Sequence, residues 1–482
     1  MTTAKTHQGE LERLSSLEQR AEQGGGPEAI ARHHQRGKLT ARERLDLLFD
    51  RGSFVEVNRL AESQAVDFGM QAKKVPGDGV VTGFGTVDGR PVFAYAQDVT
   101  VLGGSVGTIH GEKICRIMDE ALKVKAPLVA LNDSGGGRLH EGFFASRGVA
   151  GMFFRNTAAS GVIPQITGMM GSCAGVSVYS PALTDFIVMV KGTSHMVITG
   201  PGVIKSVTGE NVSIEDLGGA KVHSEVTGQA HFVTESDAEC IRTIQTLLSY
   251  LPSNNRHRAP ILDMSDSADR TDPALDYLIP GNSNQTYDMK VLIHSIMDGA
   301  EFMEIQSHFA RNIICGLGRL GGQTVGLIAN QPAVLAGVLD INASAKAALA
   351  AQFLGALGIL VVATLALTSP IEAAAPPVVP GATYVGSDTC KGCHEAEATE
   401  MERTIHGKLL GTKLSKNEVQ TRGCESCHGP GGNARDPAVP SLAGQALAST
   451  VSRYACQVAW PIRGTACSSP PFFRAVPRRR RG

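Results

Sequence analysis

The chain has 482 residues, 42% of them hydrophobic and 19% charged, with a formal net charge of −1. That size and composition describe two or three globular domains with a sizeable core, and exclude both a disordered chain and one held to nucleic acid by bulk charge. Aromatic residues are few at 5%, while the 55 glycines often cluster between apolar runs, where backbone rather than side chains can approach a ligand.

Residues 1–36 are polar and glycine-interrupted, with Leu11, Leu14 and Leu17 at helical spacing, which predicts a short helical extension. Thr40, with Glu43 three residues on and an apolar face of Leu45, Leu47, Leu48 and Phe49, predicts a capped helix ended by Gly52. The stretch VVTGFGTVDGRPVFAYAQD predicts a hairpin turning at Asp88 and Gly89. KICRIMDEALKVK reads as a helix feeding the apolar strand of APLVALND, then a glycine turn and another helix; VIPQITGMM repeats that order. Repeated strand–turn–helix units predict an α/β layer whose strands are buried on both faces. HFVTESDAECIRTIQTLLSYL closes this unit with a helix, and residues 252–280 form a polar, proline-marked linker. TYDMKVLIHSIMDGAEFMEI then opens a second α/β unit, continued by strand-like QTVGLIANQP and VLAGVLDIN.

Residues 347–367 are an apolar run broken only by Gln352, preceded by Lys346 and followed by small residues at Ala373 and Ala375. Segment 347–376 therefore reads as a signal-type or membrane-spanning helix, against the alternative of a buried helix of the second unit. Beyond it, Cys390, Cys393 and His394, then Cys424, Cys427 and His428, each form a C-x-x-C-H pattern. Two thiols at that spacing reach the vinyl groups of haem c, and the adjacent histidine can ligate its iron. A zinc site built from the same four cysteines is the alternative. Cys115, Cys173, Cys240 and Cys315 instead stand alone in apolar or mixed surroundings and read as buried, reduced thiols. The expected compartments conflict: cytoplasmic for 1–346, exported in character for the C-terminal segment, with 347–367 able to contact a membrane. Residues 436–482 have no periodicity and read as an unstructured tail.

Two glycine turns carry the chemistry. One runs from Asn132 and Asp133 through Ser134, Gly135, Gly136 and Gly137 to Arg138; the other runs from Gly171 to Val176. Each lies between a buried strand and a helix, where unpaired amides and the helix dipole favour developing negative charge. That is what an oxyanion hole for a thioester enolate requires. Taken singly, either turn could be no more than a tight strand-to-helix connection.

GKLTARERLDLLFDRGSFVEV, LGGSVGTIHGEKICRIMDEAL, LNDSGGGRLHEG, VYSPALTDFIVMV and ITGPGVIKSVTGENVSIEDLGGA occur in this order. Together they resemble the carboxyltransferase (beta) subunits of biotin-dependent acyl-CoA carboxylases of the propionyl-CoA and methylmalonyl-CoA type. The resemblance covers residues 37–347 and implies a crotonase-like ββα spiral, complete over 37–258 and truncated over 259–346. It further implies an acyl-CoA substrate, biotin on a separate carrier, biotin carboxylase and carrier partners, and a homo-oligomer that is hexameric in the family. Carried over by position, the amides of Gly175 and Val176 would hold the thioester oxyanion, and Ser134, Gly135, Gly136, Gly137 and Arg138 would line the acyl-CoA side. Val176 stands where glycine is common. Arg138 would pair with a CoA phosphate or anchor the turn through a carboxylate such as Glu141. His110, His140 and His195 receive no catalytic role, because the implied mechanism supplies its own base. Cys173 reads as a packed thiol.

Past residue 347 the resemblance ends, so the biotin-side half of the site is expected to be missing: acyl-CoA binding without carboxyl transfer. The stretch YVGSDTCKGCHEAEATEMERTIHGKLL resembles the start of a periplasmic multihaem cytochrome, which makes 377–435 a haem-binding segment with His406 as a distal ligand. A membrane-anchored fusion carrying a dihaem electron-transfer domain, and a joined-fragment chain without activity, are the alternative readings.

Overall fold

In the computed structural model, residues 7–264, 266–267, 269–282, 285–356 and 360–364 are described. Helices α1 (His7–Gln23) and α2 (Pro27–His34) precede α3 (Ala41–Leu48). Thr40 caps α3: its hydroxyl accepts from the Glu43 amide, and the Glu43 carboxylate accepts from the Thr40 amide at 2.8 Å. This helix stops before Gly52, because Phe49 turns extended and stacks on Phe54 at 5.2 Å.

The chain then lays down β1 (Val55–Val57), β2 (Val80–Val87) and β3 (Arg90–Gln97). Asp88 and Gly89 between the last two both take positive φ, as a two-residue hairpin turn of matching twist requires. Strands and helices alternate from there: α4 (Thr108–Val124), β4 (Leu128–Asn132), α5 (Ala145–Ala159), β5 (Gln165–Met169), β6 (Ser172–Ala174), α6 (Val176–Ala182), β7 (Phe186–Val190) and β8 (His195–Val197). Helices α7 (Pro201–Thr208), α8 (Ile214–Gly218) and α9 (Ala220–Glu225), strand β9 (Phe232–Thr234) and helix α10 (Asp237–Tyr250) complete this part.

Seven strands form one sheet in the order β1-β2-β3-β4-β5-β7-β9, parallel from β3 onward. Every residue of β4, β5 and β7 is buried, the state an unbroken apolar strand needs when helices cover both faces. On one face α4 and α5 cross at Gly111 and Gly148, where a Cβ on Gly111 would lie 2.7 Å from the Gly148 Cα. On the other face α3 and α10 share an apolar cluster with β4, β5 and β7 through Leu45, Leu48, Ile244 and Leu248.

A second sheet follows helix α11 (Met289–Ile296). It holds β10 (Phe302–Ile305), β11 (Ile313–Leu320), β12 (Gln323–Asn330) and, after helix α12 (Ile341–Ala356), β13 (Leu360–Thr364). The first three are antiparallel, and β13 runs parallel to β12. Strand β11 escapes sequence reading because Gly316 and Gly318 break its pattern; those glycines make room for the Phe302 ring and the Met297 sulfur. VLAGVLDIN, expected as a strand, instead holds a 3-10 turn (Leu335–Gly337) with Leu335 and Ala336 at positive φ.

The single spanning helix expected over 347–367 is corrected. Its described part is the end of α12 and the paired strand β13, and no described helix is long and apolar enough to cross a membrane. Lys346, taken as the charged start of that segment, is buried, and its ammonium donates to the carbonyls of Gln306, Phe309 and Ile313 at 2.9, 2.9 and 3.0 Å. Ala343, Ala347, Ala350 and Leu354, at helical spacing, face the sheet, and Leu354 fills the space left by the absent side chain of Gly326. Uniform hydropathy hid which face of this helix is buried, because exposed positions such as Ala345, Leu349 and Ala351 are apolar as well.

Candidate functional site

Strands β4 and β5 are parallel neighbours, so the two glycine turns emerge side by side at their carboxyl ends, the edge where open α/β sheets bind ligands. They are laced together. Ser134 Oγ lies 2.8 Å from Ser177 Oγ, and a Cβ on Gly136, whose φ is +105°, would stand 2.9 Å from the Ala174 carbonyl oxygen. Val106 bridges the first turn by donating to Gly136 O at 2.8 Å and accepting from Arg138 N at 2.9 Å. That ladder leaves the Gly137 amide outside it.

The two amides expected as oxyanion donors differ in the hydrogen bonds they already make. The Gly175 amide donates to Val197 O at 2.9 Å, so it is committed to the backbone and cannot serve as half of an oxyanion pair. Val176 opens α6, where the first amides have no intrahelical acceptor. A Cβ on Gly137 would meet the Val176 side chain at 3.5 Å, an ordinary van der Waals contact, so the two residues lie side by side.

Arg138 is not available to a phosphate. Its side chain is 1% exposed; Nη1 contacts Asp78 at 2.6 Å and Glu141 at 3.0 Å, and Nη2 donates to Ser105 O at 2.8 Å. Anchored on both sides, it holds the first turn against the loop before β2. Glu141 also accepts from the Thr108 amide at 2.6 Å, tying in the start of α4.

Beneath the turns lies a buried ionic cluster that sequence reading missed. Asp133 takes Lys38 Nζ at 2.5 Å and Arg44 Nη2 at 3.2 Å, and Arg44 pairs with Asp237 at 2.8 Å. A side chain on Gly171 would collide with Asp133, so this glycine lets the second turn close over the carboxylate. Burial, then the nearby Lys38, lowers the pKa of His33 in the same cluster. Arg44, Asp133 and Asp237 come from α3, the turn after β4 and α10, far apart in the chain, which is why no local motif announces them.

His110 is buried with its pKa pushed down to about 3, first by desolvation and then by Arg138. Its Nδ1 meets Asp78 O at 3.0 Å and its Nε2 meets the Gln97 amide at 3.3 Å, as a neutral imidazole requires. His140 is exposed against the edge of Phe68. His195 lies between Ser172 and Glu215, at 2.7 and 2.8 Å. Cys173 is buried in the core, its thiol pushed up to about 12 by desolvation. Cys390, Cys393, His394, His406, Cys424, Cys427 and His428 lie outside the described residues, and the described residues contain no cluster suited to a metal ion.

The family model for the carboxyl transferase domain matches residues 32–366. The chain belongs to the carboxyl transferase family. The match runs through α12 and β13, so the sequence does not leave the family at residue 347 as expected. Relatives include the methylmalonyl-CoA decarboxylase subunit alpha of Veillonella parvula, 52% identical over 74% of this chain and 70% of its own. The propionyl-CoA carboxylase beta chain of Roseobacter denitrificans is 51% identical over 72% of this chain and 68% of its own, and the human mitochondrial protein of that name 49% over 72% and 65%. The mixed α/β fold matches the crystal structure of the transcarboxylase 12S hexamer with methylmalonyl-coenzyme A and methylmalonic acid bound. The TM-score is 0.73 at 42% identity, covering 75% of this chain and 71% of that one.

Proposed function

We propose that this chain is the carboxyltransferase subunit of a biotin-dependent system acting on a short-chain acyl-CoA of the propionyl-CoA or methylmalonyl-CoA type. The observation that carries the reading is the lacing of two glycine turns at adjacent strand ends, with the amides of Val176 and Gly137 outside the backbone ladder. We assign those two amides, rather than Gly175, as the donors that hold the thioester carbonyl as it gains negative charge. Gly135, Gly136 and Ala174 supply a wall with no side chain larger than a methyl group, against which the thioester can lie. Arg138 and the Asp133 cluster keep the wall rigid, which matters because an oxyanion hole works by being organised before charge develops. Biotin, on a separate carrier, brings the carboxyl group; none of the described residues is assigned to hold it. The two sheets correspond, in this reading, to the crotonase-like units of the family.

Leu139, Phe143 and Phe144, just after the first turn, are 80–90% exposed. An aromatic segment open to this degree marks an association surface, and we assign it to contact with further copies of this chain.

Calorimetric titration of the full chain with propionyl-CoA tests the substrate reading: saturable binding is expected, and its absence refutes it. Carboxyl transfer is then assayed with a carboxybiotinylated carrier. For the C-terminal segment we propose haem c attachment at Cys390 and Cys393 and at Cys424 and Cys427, with His394 and His428 on iron, on motif spacing alone. A pyridine haemochrome spectrum after expression with the attachment machinery tests it; a chain carrying no covalent haem refutes it.

A further inference from the structure

Ser172, His195 and Glu215 form a relay that carboxyl transfer leaves unused. Ser172 Oγ lies 2.7 Å from His195 Nδ1, and His195 Nε2 lies 2.8 Å from Glu215 Oε2. A carboxylate can only accept, so Nε2 carries the ring proton, Nδ1 presents its lone pair, and the Ser172 hydroxyl donates to it. Nucleophile, base and orienting acid thus stand in sequence at hydrogen-bond reach.

Backbone pairing builds this arrangement. Strands β6 and β8 are parallel with Ser172 directly opposite His195. His195 also bridges Gly219, just past the helix α8 that carries Glu215. Burial sorts the roles: the His195 side chain is sheltered at 10% exposure, while Ser172 is open to solvent. Alternation along β6 puts Ser172 and Ala174 on one side and Cys173 in the core on the other. Three residues of extended chain separate Ser172 from Gly175 by about 10 Å. The hydroxyl therefore stands at the opposite end of the turn from the Val176 amide, and the relay acts on a carbonyl bound at its own end.

We propose that this relay gives the chain a second activity, hydrolysis of acyl thioesters, with Ser172 as nucleophile, His195 as base and Glu215 as a positioning residue. The choice of substrate rests on the acyl-CoA reading above; the reactivity of the serine does not. Ser172 Oγ attacks the thioester carbonyl carbon while its proton passes to His195 Nδ1. The carbon–sulfur bond then breaks and that proton passes to sulfur, releasing the free thiol of CoA and leaving an ester on Ser172. Water attacks the ester, gives a proton to His195, and the acid leaves as the proton returns to Ser172 Oγ. The sum is thioester plus water to carboxylic acid plus thiol, with no change in oxidation state.

The test exposes the purified full chain to a fluorophosphonate, which labels activated serines without needing CoA, and follows CoA release from propionyl-CoA by chromatography. Labelling is expected at Ser172, absent in Ser172→Ala and lost in His195→Gln, with CoA release falling about 100-fold in either variant. In Glu215→Gln, the ring loses the acceptor that holds Nδ1 toward Ser172, so kcat is expected to fall while KM changes little. Circular dichroism identifies any variant that fails to fold, and Glu215→Gln, altered at a half-exposed side chain, keeps the test open in that case. Absence of label at Ser172, or label that persists unchanged in a folded His195→Gln or Glu215→Gln, overturns the relay. Label at Ser172 that depends on His195, in a chain that binds no propionyl-CoA, supports the relay and refutes the acyl-CoA reading instead.

Discussion

Replacing Asp133 by alanine tests whether the ground beneath the candidate site is held by charge. Lys38 and Arg44 supply two cations there, and Asp133 and Asp237 two carboxylates; burial and Lys38 lower the His33 pKa and disfavour a third positive charge. The side chains of Arg44, Asp133 and Asp237 are 1–3% exposed, so the pairs are desolvated. Asp133→Ala leaves two cations facing one carboxylate, and breaking a buried pair in this way costs about 3–5 kcal/mol. Lys38, at 10% side-chain exposure, can swing outward, which places the expected loss at the lower end. Asp133→Ala combined with Lys38→Met restores parity and is expected to recover roughly 1–3 kcal/mol, because the two residues are in direct contact. Urea unfolding of the full chain, followed by circular dichroism, measures both. A single-variant loss below about 1 kcal/mol, or strict additivity in the double variant, would show that the cluster is solvated and refute the argument.

Gly136→Ala introduces a Cβ at φ +105° and 2.9 Å from Ala174 O. Strain of roughly 1–2 kcal/mol and displacement of the second turn are expected to weaken propionyl-CoA binding about tenfold or more, read by calorimetry. Gly111→Ala forces α4 from α5 at the Gly148 crossing and should cost about 1–3 kcal/mol in urea unfolding; a neutral result would mean that the helices slide apart freely. Desolvation depresses His110 to about 3 and His231 to about 4, so between roughly pH 6.5 and 4 only the unfolded chain takes up these two protons. Their contribution to stability is complete above pH 6.5 and is lost as pH falls. The dependence should approach two protons in that window, and His110→Gln should reduce it by one.

Much of the fold is legible in local sequence. The reciprocal cap of Thr40 and Glu43, the hairpin at Asp88 and Gly89, and the unbroken apolar strands before both glycine turns depend on residues a few positions apart. Their physics is that of short-range hydrogen bonding and periodic burial, which the order of residues reports directly. The positions of the turns followed from that. Which of their groups remain free did not.

Gly175 spends its amide on Val197, and Arg138 spends its guanidinium on Asp78, sixty positions earlier, as well as on Glu141. Ser172, His195 and Glu215 meet because two short strands happen to pair and a helix packs beside them. Lys346 reads as a flanking charge until three backbone carbonyls surround it, and the apolar run after it reads as one helix until β12 offers an edge for β13. Residue order alone therefore determined the buried strands before the glycine turns, the turns themselves and the family to which they belong. Tertiary structure decided which donors are spent and which charges are buried, because a hydrogen bond or a desolvated ion pair is settled by whatever arrives from elsewhere in the chain.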